Sequence, residues 1–290
     1  MRANRIVALG GAAVVLLGAN VALAQGNGRG NAFGHYKSTV TAASNPSAAV
    51  IEAASIPGTG VRNFGSWLDD ASVMDVGSGF VAVGFGVFTT PVYREVDLPT
   101  IDSGVGIHRR VQIGMSVPYY RATVAGTPMG RGFGDVYLSA KIQLREPTGS
   151  GPGFGVIPMV EVLSMAPPDG GSRVTWALPV SIEVQRTGWR VYGSAGYFSR
   201  GAMFGSGAVE VELSKRTWLT GTISQSYSVR HDDLSAALGL HKARTDVNGG
   251  LTFAVRPDVA IYSSVGRTIS ARDDNSATFV FNAGLSLGFR

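Results

Sequence analysis

Cysteine is absent from the 290 residues, so the chain has no disulfide and no lipoprotein attachment residue. A chain this long can bury enough surface without such staples. Charge is also scarce, at 16 % Asp, Glu, Lys and Arg with a formal net charge of +5. No Lys/Arg cluster interleaves with aromatics, so no nucleic-acid partner is expected. Apolar content is an ordinary 44 %, and no block is hydrophobic enough for a helical membrane protein. Glycine is the abundant residue, with 40 copies.

The first 24 residues read as a secretory signal peptide. Arg2 and Arg5 form a positive start, Ile6 to Leu17 is uncharged and mostly apolar, and Ala22-Leu23-Ala24 precedes Gln25 in an A-x-A cleavage pattern. An uncleaved anchor is the alternative, since the run just reaches the length needed to cross a membrane. Residues 25–72 are expected to be a flexible or short-helical periplasmic segment. Gly, Asn, Ser and Thr dominate 25–44, and Asn45-Pro46 resembles a helix start that Pro57-Gly58 stops. Phe64, Trp67 and Leu68 beside Asp69-Asp70 suggest a second short element. Such a segment can plug a barrel or merely seal its end, and sealing is the plainer expectation.

Residues 73–290 follow a period of two. Between Gly132 and Leu144, Val136, Leu138, Ala140, Ile142 and Leu144 occupy one face, and Asp135, Tyr137, Ser139, Lys141 and Gln143 the other. Only a strand sorts these residues so cleanly. Twelve candidate strands follow from Phe80 onward, the last running from Thr278 to Phe289; Phe154–Met165 and Trp189–Phe198 are the unclear ones. Short connections are expected at 108–110, 145–153, 186–188, 215–217 and 256–258. Longer ones are expected at 89–98, 121–133, 166–173, 199–205, 230–246 and 267–275. That alternation describes an outer-membrane barrel with both ends on the short-turn, periplasmic side.

A secreted soluble sandwich or lipocalin-like barrel would also alternate. Three features favour lipid. The strands run about ten residues, the length of a tilted membrane strand. Their second face is small and polar, as a wet lumen requires. Aromatics gather near strand ends, at Tyr119, Tyr120, Trp189, Tyr197, Trp218, Tyr227 and Phe289. The expectation is an all-β protein, a transmembrane antiparallel up-and-down barrel of about 12 strands in the cell outer membrane, cleaved near Ala24-Gln25. Its partners would be outer-membrane lipid, a small-molecule permeant, and the barrel-assembly machinery acting through the C-terminal strand.

Few residues suggest chemistry. The four histidines are His35, His108, His231 and His241. His231-Asp232-Asp233 and His241 match no ligand spacing and read as a solvated loop cluster. No His lies mid-strand beside an outward Ser, as a Ser–His site at a barrel rim would need. Gly149-Ser150-Gly151-Pro152-Gly153 has no following Lys-Ser/Thr and reads as a turn. Neither an enzyme nor a cofactor nor a metal is expected. The candidate site is the lumen wall: Gln112, Asp135, Tyr137, Lys141, Glu161, Glu183, Arg190, Glu210, Glu212 and Asn282. These residues either set selectivity or brace the barrel by hydrogen bonding. Asp135, Lys141, Glu161 and Glu183 come from neighbouring strands, so pairing among them is expected.

The stretch GFGDVYLSAKIQL (132–144) resembles a strand of the outer-membrane family called the meta-pathway phenol-degradation-like transporters. VGIHRRVQIGMSVPYYR (105–121) resembles that family's preceding hairpin, and VEVLSMAPPDG (160–170) a degenerate form of its "lPtG" strand end. The resemblance covers roughly residues 80–290. It implies a single-chain outer-membrane barrel that admits small, often aromatic or apolar compounds. The chain departs from the family at Ala166-Pro167-Pro168-Asp169-Gly170 and in carrying Arg290 after the terminal aromatic.

Overall fold

The computed structural model describes residues 68–289, apart from 92, 125, 149–150, 165–171, 200, 230–240, 271–272 and 274–275. The expected signal peptide and the expected helix after Asn45 lie outside the described residues. Fourteen strand segments are present: β1 (Gly79–Thr89), β2 (Tyr93–His108), β3 (Val111–Val124), β4 (Thr127–Phe133), β5 (Val136–Arg145), β6 (Gly153–Val156), β7 (Met159–Val162), β8 (Val174–Arg186), β9 (Trp189–Phe198), β10 (Ala202–Ser214), β11 (Thr217–Ser228), β12 (Ala243–Arg256), β13 (Val259–Ser270) and β14 (Phe279–Phe289). β4 and β5 are two halves of one wall strand, both paired with β3. β6 and β7 are likewise two halves, both lying between β5 and β8. The wall therefore has twelve antiparallel strands, as the periodicity predicts.

Closure is complete. β1 pairs with β14 in unbroken register from Gly79↔Phe289 to Thr89↔Phe279. No strand edge is left at the seam, which is what lets a sheet stand in hydrocarbon. Two-residue turns at Arg109-Arg110, Thr187-Gly188, Lys215-Arg216 and Pro257-Asp258 mark the short-turn end, and both chain ends of the wall lie there.

The outer surface is apolar and open. Val83, Leu138, Ile182, Leu219, Ile261 and Leu285 remain 40–50 % exposed, although each faces away from a packed interior. A soluble protein rarely shows so continuous an apolar belt, whereas a barrel in lipid needs one. Aromatics border the belt. Tyr119 meets Phe133 edge-on, with ring centroids 5.6 Å apart, and Trp176 meets Tyr197 at 6.1 Å. Trp189 and Phe289 lie at the opposite, short-turn end. Tyr120 and Trp218 do not belong to these girdles. Trp218 is buried inside against Ala254 and Ala260, and Tyr120 packs on an interior cluster.

Three connections expected to be long are short, because the strands run on. β2 begins at Tyr93 opposite Val124, only residues 125 and 126 separate β3 from β4, and β10 begins at Ala202 opposite Phe198. Above the lipid both faces of a strand are wet, so Arg94, Glu95, Asp97 and Arg121 hide the alternation while the ladder continues. Gly132 and Gly134, at the upper end of the 132–144 stretch, thus lie below the mouth, since β4 continues past them. The chain breaks at Gly134-Asp135 within a wall strand and continues upward as β4. The second break falls at Ile157-Pro158, where Ala140 donates to the Pro158 carbonyl and Ile157 to the Pro179 carbonyl. Ile157, Met159 and Leu163, which blur the expected polar face, are buried inside.

Candidate functional site in the lumen

The lumen is crossed by the chain's own residues 68–74. Leu68 packs on Tyr192 and Ala208, and Met74 on Phe80, Ala82 and Tyr262. Between them Asp69, Asp70, Ala71, Ser72 and Val73 are all buried. Asp69-Asp70 thus does not seal the end of the barrel; it lies within it. After Met74 the chain turns back to the wall, where Gly77 donates to the Gly106 carbonyl at 2.8 Å and Gly106 to that of Ser78 at 2.9 Å. A Cβ on Gly106 would collide with the Asp75 and Met74 carbonyls, so glycine is needed for this close backbone approach.

Charge holds the segment in place. Lys141 Nζ lies 2.5 Å from Asp69 Oδ1 and donates to Asp70 Oδ1 at 2.7 Å. Arg190 Nη1 donates to Asp70 Oδ2 at 3.0 Å and lies 3.6 Å from Glu183 Oε1. The same guanidinium grips Glu210 with two bonds, Nε to Oε1 at 2.7 Å and Nη2 to Oε2 at 3.2 Å, and stacks 4.6 Å from the Tyr192 ring centroid. A planar fork can serve two carboxylates and a ring at once, as an ammonium cannot. Thr220 donates to Glu210 at 3.2 Å, and Ser72 donates to Glu183 at 2.7 Å. Gln143 donates to the Ala71 carbonyl at 3.3 Å, and the Met74 amide donates to Gln112 Oε1 at 3.1 Å.

This network holds four carboxyls and two cations, all buried, so full ionisation would leave an excess of negative charge. Asp69 sits in the lumen segment and not in a membrane-spanning strand. Burial, partly offset by the Lys141 ammonium, pushes its carboxyl up to about 7. Buried charges persist only when paired and hydrogen-bonded, which accounts for the density of contacts here.

Toward the other mouth the lining changes. Tyr137, Ile157, Met159, Ala177 and Phe198 form an interior cluster, with Phe204 5.7 Å from Phe198 between ring centroids. Phe88, Tyr93, Ala122, Ala277 and Val280 form a second. Asp135 accepts from both the Ser164 amide and hydroxyl at 2.8 Å, and Glu161 accepts from Thr175 at 2.7 Å. The Tyr93 hydroxyl donates to Glu95. Arg244 pairs with Asp246 at 3.0 Å, and Thr268 donates to the same carboxylate at 2.6 Å.

Of the ten residues named from the sequence, Gln112, Asp135, Tyr137, Lys141, Glu161, Glu183, Arg190, Glu210 and Asn282 face inward and are buried. Asn282 donates to Ser264 at 3.3 Å. Glu212 is exposed, beside the bulge that ends the β10–β11 ladder at the short-turn rim. Pairing is not confined to neighbouring wall strands as expected, since Lys141 takes Asp69 and Asp70 from the lumen segment. The alternation could place Lys141 and Arg190 inside but could not show what they hold. The adjacent acids Asp69-Asp70 were the available signal.

A closed twelve-strand wall, an apolar exterior and a polar interior decide the architecture. The fold is that of an outer-membrane barrel. An outer-membrane channel from Pseudomonas putida F1 superimposes with a TM-score of 0.57, at 12 % identity over 76 % of this chain and 98 % of that one. The NanC porin superimposes with a TM-score of 0.52, at 11 % identity over 71 % and 98 %. No protein-family model and no curated protein matches the sequence.

Proposed function

We propose that the protein is an outer-membrane channel for passive passage of small molecules, gated by its own residues 68–74. The observation that carries this is the contrast across one wall. The exterior is apolar, yet the interior collects carboxylates, cations and hydroxyls around a peptide segment that contributes no strand. A barrel built only to be rigid could fill its centre with wall side chains. Holding a separate segment by ion pairs suits a path that opens when the segment leaves. The aromatic lining above the network, with the resemblance of residues 105–144 to the meta-pathway phenol-degradation-like transporters, supports small aromatic or apolar permeants.

Planar-bilayer conductance tests the reading. The intact barrel is expected to conduct weakly, and deletion of residues 68–74 to raise conductance several-fold. The carboxyl excess around Lys141 and Arg190 predicts preference for cations over anions. Silence of both forms under every voltage and salt condition would sink the channel. It would support a second reading, a structural or surface-interaction barrel, for which the burial of Asp70 across the lumen speaks directly. The C-terminal strand β14, ending in Phe289, is the proposed contact for barrel-assembly machinery.

A further inference from the structure

Three arginines face outward on the part of the wall that rises above the lipid belt. In β3 and β4, Arg121 and Arg131 stand directly opposite each other in the ladder. One step below them on the same face is the Tyr119–Phe133 aromatic pair. On β2, Val96 lies opposite Arg121 and Arg94 opposite Thr123, so Arg94 is the diagonal neighbour of Arg121. All three side chains are exposed, and none forms an ion pair among the described residues.

This placement is unfavourable by itself. Like charges directly opposite on one sheet face lie roughly 5 Å apart between Cβ atoms and repel. No outward carboxylate among the described residues of β2, β3 and β4 relieves them: Glu95, Asp97 and Asp135, the nearest acids in sequence, belong to the inward face. An anion between the guanidinium groups would turn repulsion into attraction, and a tetrahedral phosphate accepts two parallel bonds from each fork. The height selects its source. The aromatic pair beneath marks the membrane interface, so an anion here lies at the level of lipid headgroups.

We propose that Arg94, Arg121 and Arg131 bind the phosphate groups of a phosphorylated glycolipid in the outer leaflet, fixing that lipid against the β2–β4 wall. The proposal rests on the outer-membrane reading and is independent of whether the lumen conducts.

The test uses the full-length barrel in detergent with three probes: bis-phosphorylated lipid A, the same lipid with both phosphates removed, and inorganic phosphate. The intact protein should bind the phosphorylated lipid about tenfold or more tightly than the dephosphorylated one, and high salt should weaken that preference. Joint replacement Arg94→Gln, Arg121→Gln and Arg131→Gln should abolish the preference. Arg267→Gln, at an exposed outward arginine on β13, should leave it intact. Single Arg121→Gln and Arg131→Gln barrels serve if the triple variant does not fold, each with a several-fold loss. Equal binding of the two lipids, an unchanged triple variant, or an equal loss from Arg267→Gln would each overturn the site. Full competition by inorganic phosphate at matched concentration would overturn the lipid as its occupant. A barrel that discriminates the lipids yet never conducts would overturn the channel reading alone.

Discussion

The two halves of the lumen solve the problem of a polar interior differently. Near the short-turn end, the buried Lys141, Arg190 and Glu183 take Asp69, Asp70 and Ser72 as partners, residues that belong to no strand, while Glu210 is held from the wall by Arg190 and Thr220. Near the far end, Asp135, Glu161 and Asp246 accept from hydroxyls, an amide and Arg244 of the wall or its adjoining loop, and aromatic rings fill the space between. The first half shares its charge with a part of the chain that belongs to no strand. The second draws its partners from the wall and its adjoining loop. Position along one tube thus separates a holding device from a lining.

The largest expected effect comes from Arg190→Ala. It strands Asp70, Glu183 and Glu210 without their shared cation, and a broken buried pair typically costs about 3–5 kcal/mol. The folded barrel, followed by its heat-modifiable migration in gels, should unfold at clearly lower temperature, and conductance should rise. An unchanged unfolding temperature would show that the two halves do not differ in this way. Asp70→Asn should be milder, about 1–3 kcal/mol, because Lys141 keeps Asp69. Its signature is loosening of the segment. The chain has no native cysteine, so Ala71→Cys, at a fully buried position, gives a clean accessibility probe. Labelling should be several-fold faster with Asp70→Asn than without it.

A pH dependence follows next. Asp69 in the seated segment holds its proton more tightly than a solvated carboxyl whose ordinary value is 3.8. Seating is therefore favoured at low pH, and that stabilisation is lost as pH rises toward the seated value of about 7. Labelling of Ala71→Cys, normalised to the exposed Ser214→Cys, should quicken between about pH 4 and about pH 7, and Asp69→Asn should flatten the response. Smaller still is the effect of Phe204→Ala in the far half. It should change uptake of aromatic solutes into liposomes by about two- to tenfold, a loss of one ring contact of about 0.5–1.5 kcal/mol, and leave Ala71→Cys labelling unchanged. Glu212→Gln, at the exposed rim, should stay within about 0.5 kcal/mol of the parent in stability.

Much of the wall was legible because lipid enforces a strict alternation. Leu138 and Lys141 could be assigned to opposite faces from neighbours alone. Legibility failed where lipid no longer touches the strand. Above the membrane Arg94 and Arg121 face water as Glu95 does, so β2, β3 and β4 resembled loops. It failed again where the interior is not wet. Ile157 and Met159 point inward to Phe198 and looked like errors of period. The network was half legible: parity placed Lys141, Glu183, Arg190 and Glu210 inside. Their partners lie 71 to 120 positions away for Lys141–Asp70 and Arg190–Asp70, a separation that no local pattern encodes.

That separation sets an order of assembly. Asp70 precedes every strand, yet the pocket that receives it needs β5, β8, β9 and β10 all in place. Contacts so distant along the chain reward closure only after its entropy has been lost, which slows their formation. The expected order is therefore wall first and segment second, with the stretch that comes first in the chain drawn in last. Trapping an assembly state with a formed wall and a reactive Ala71→Cys would capture the molecule at that step.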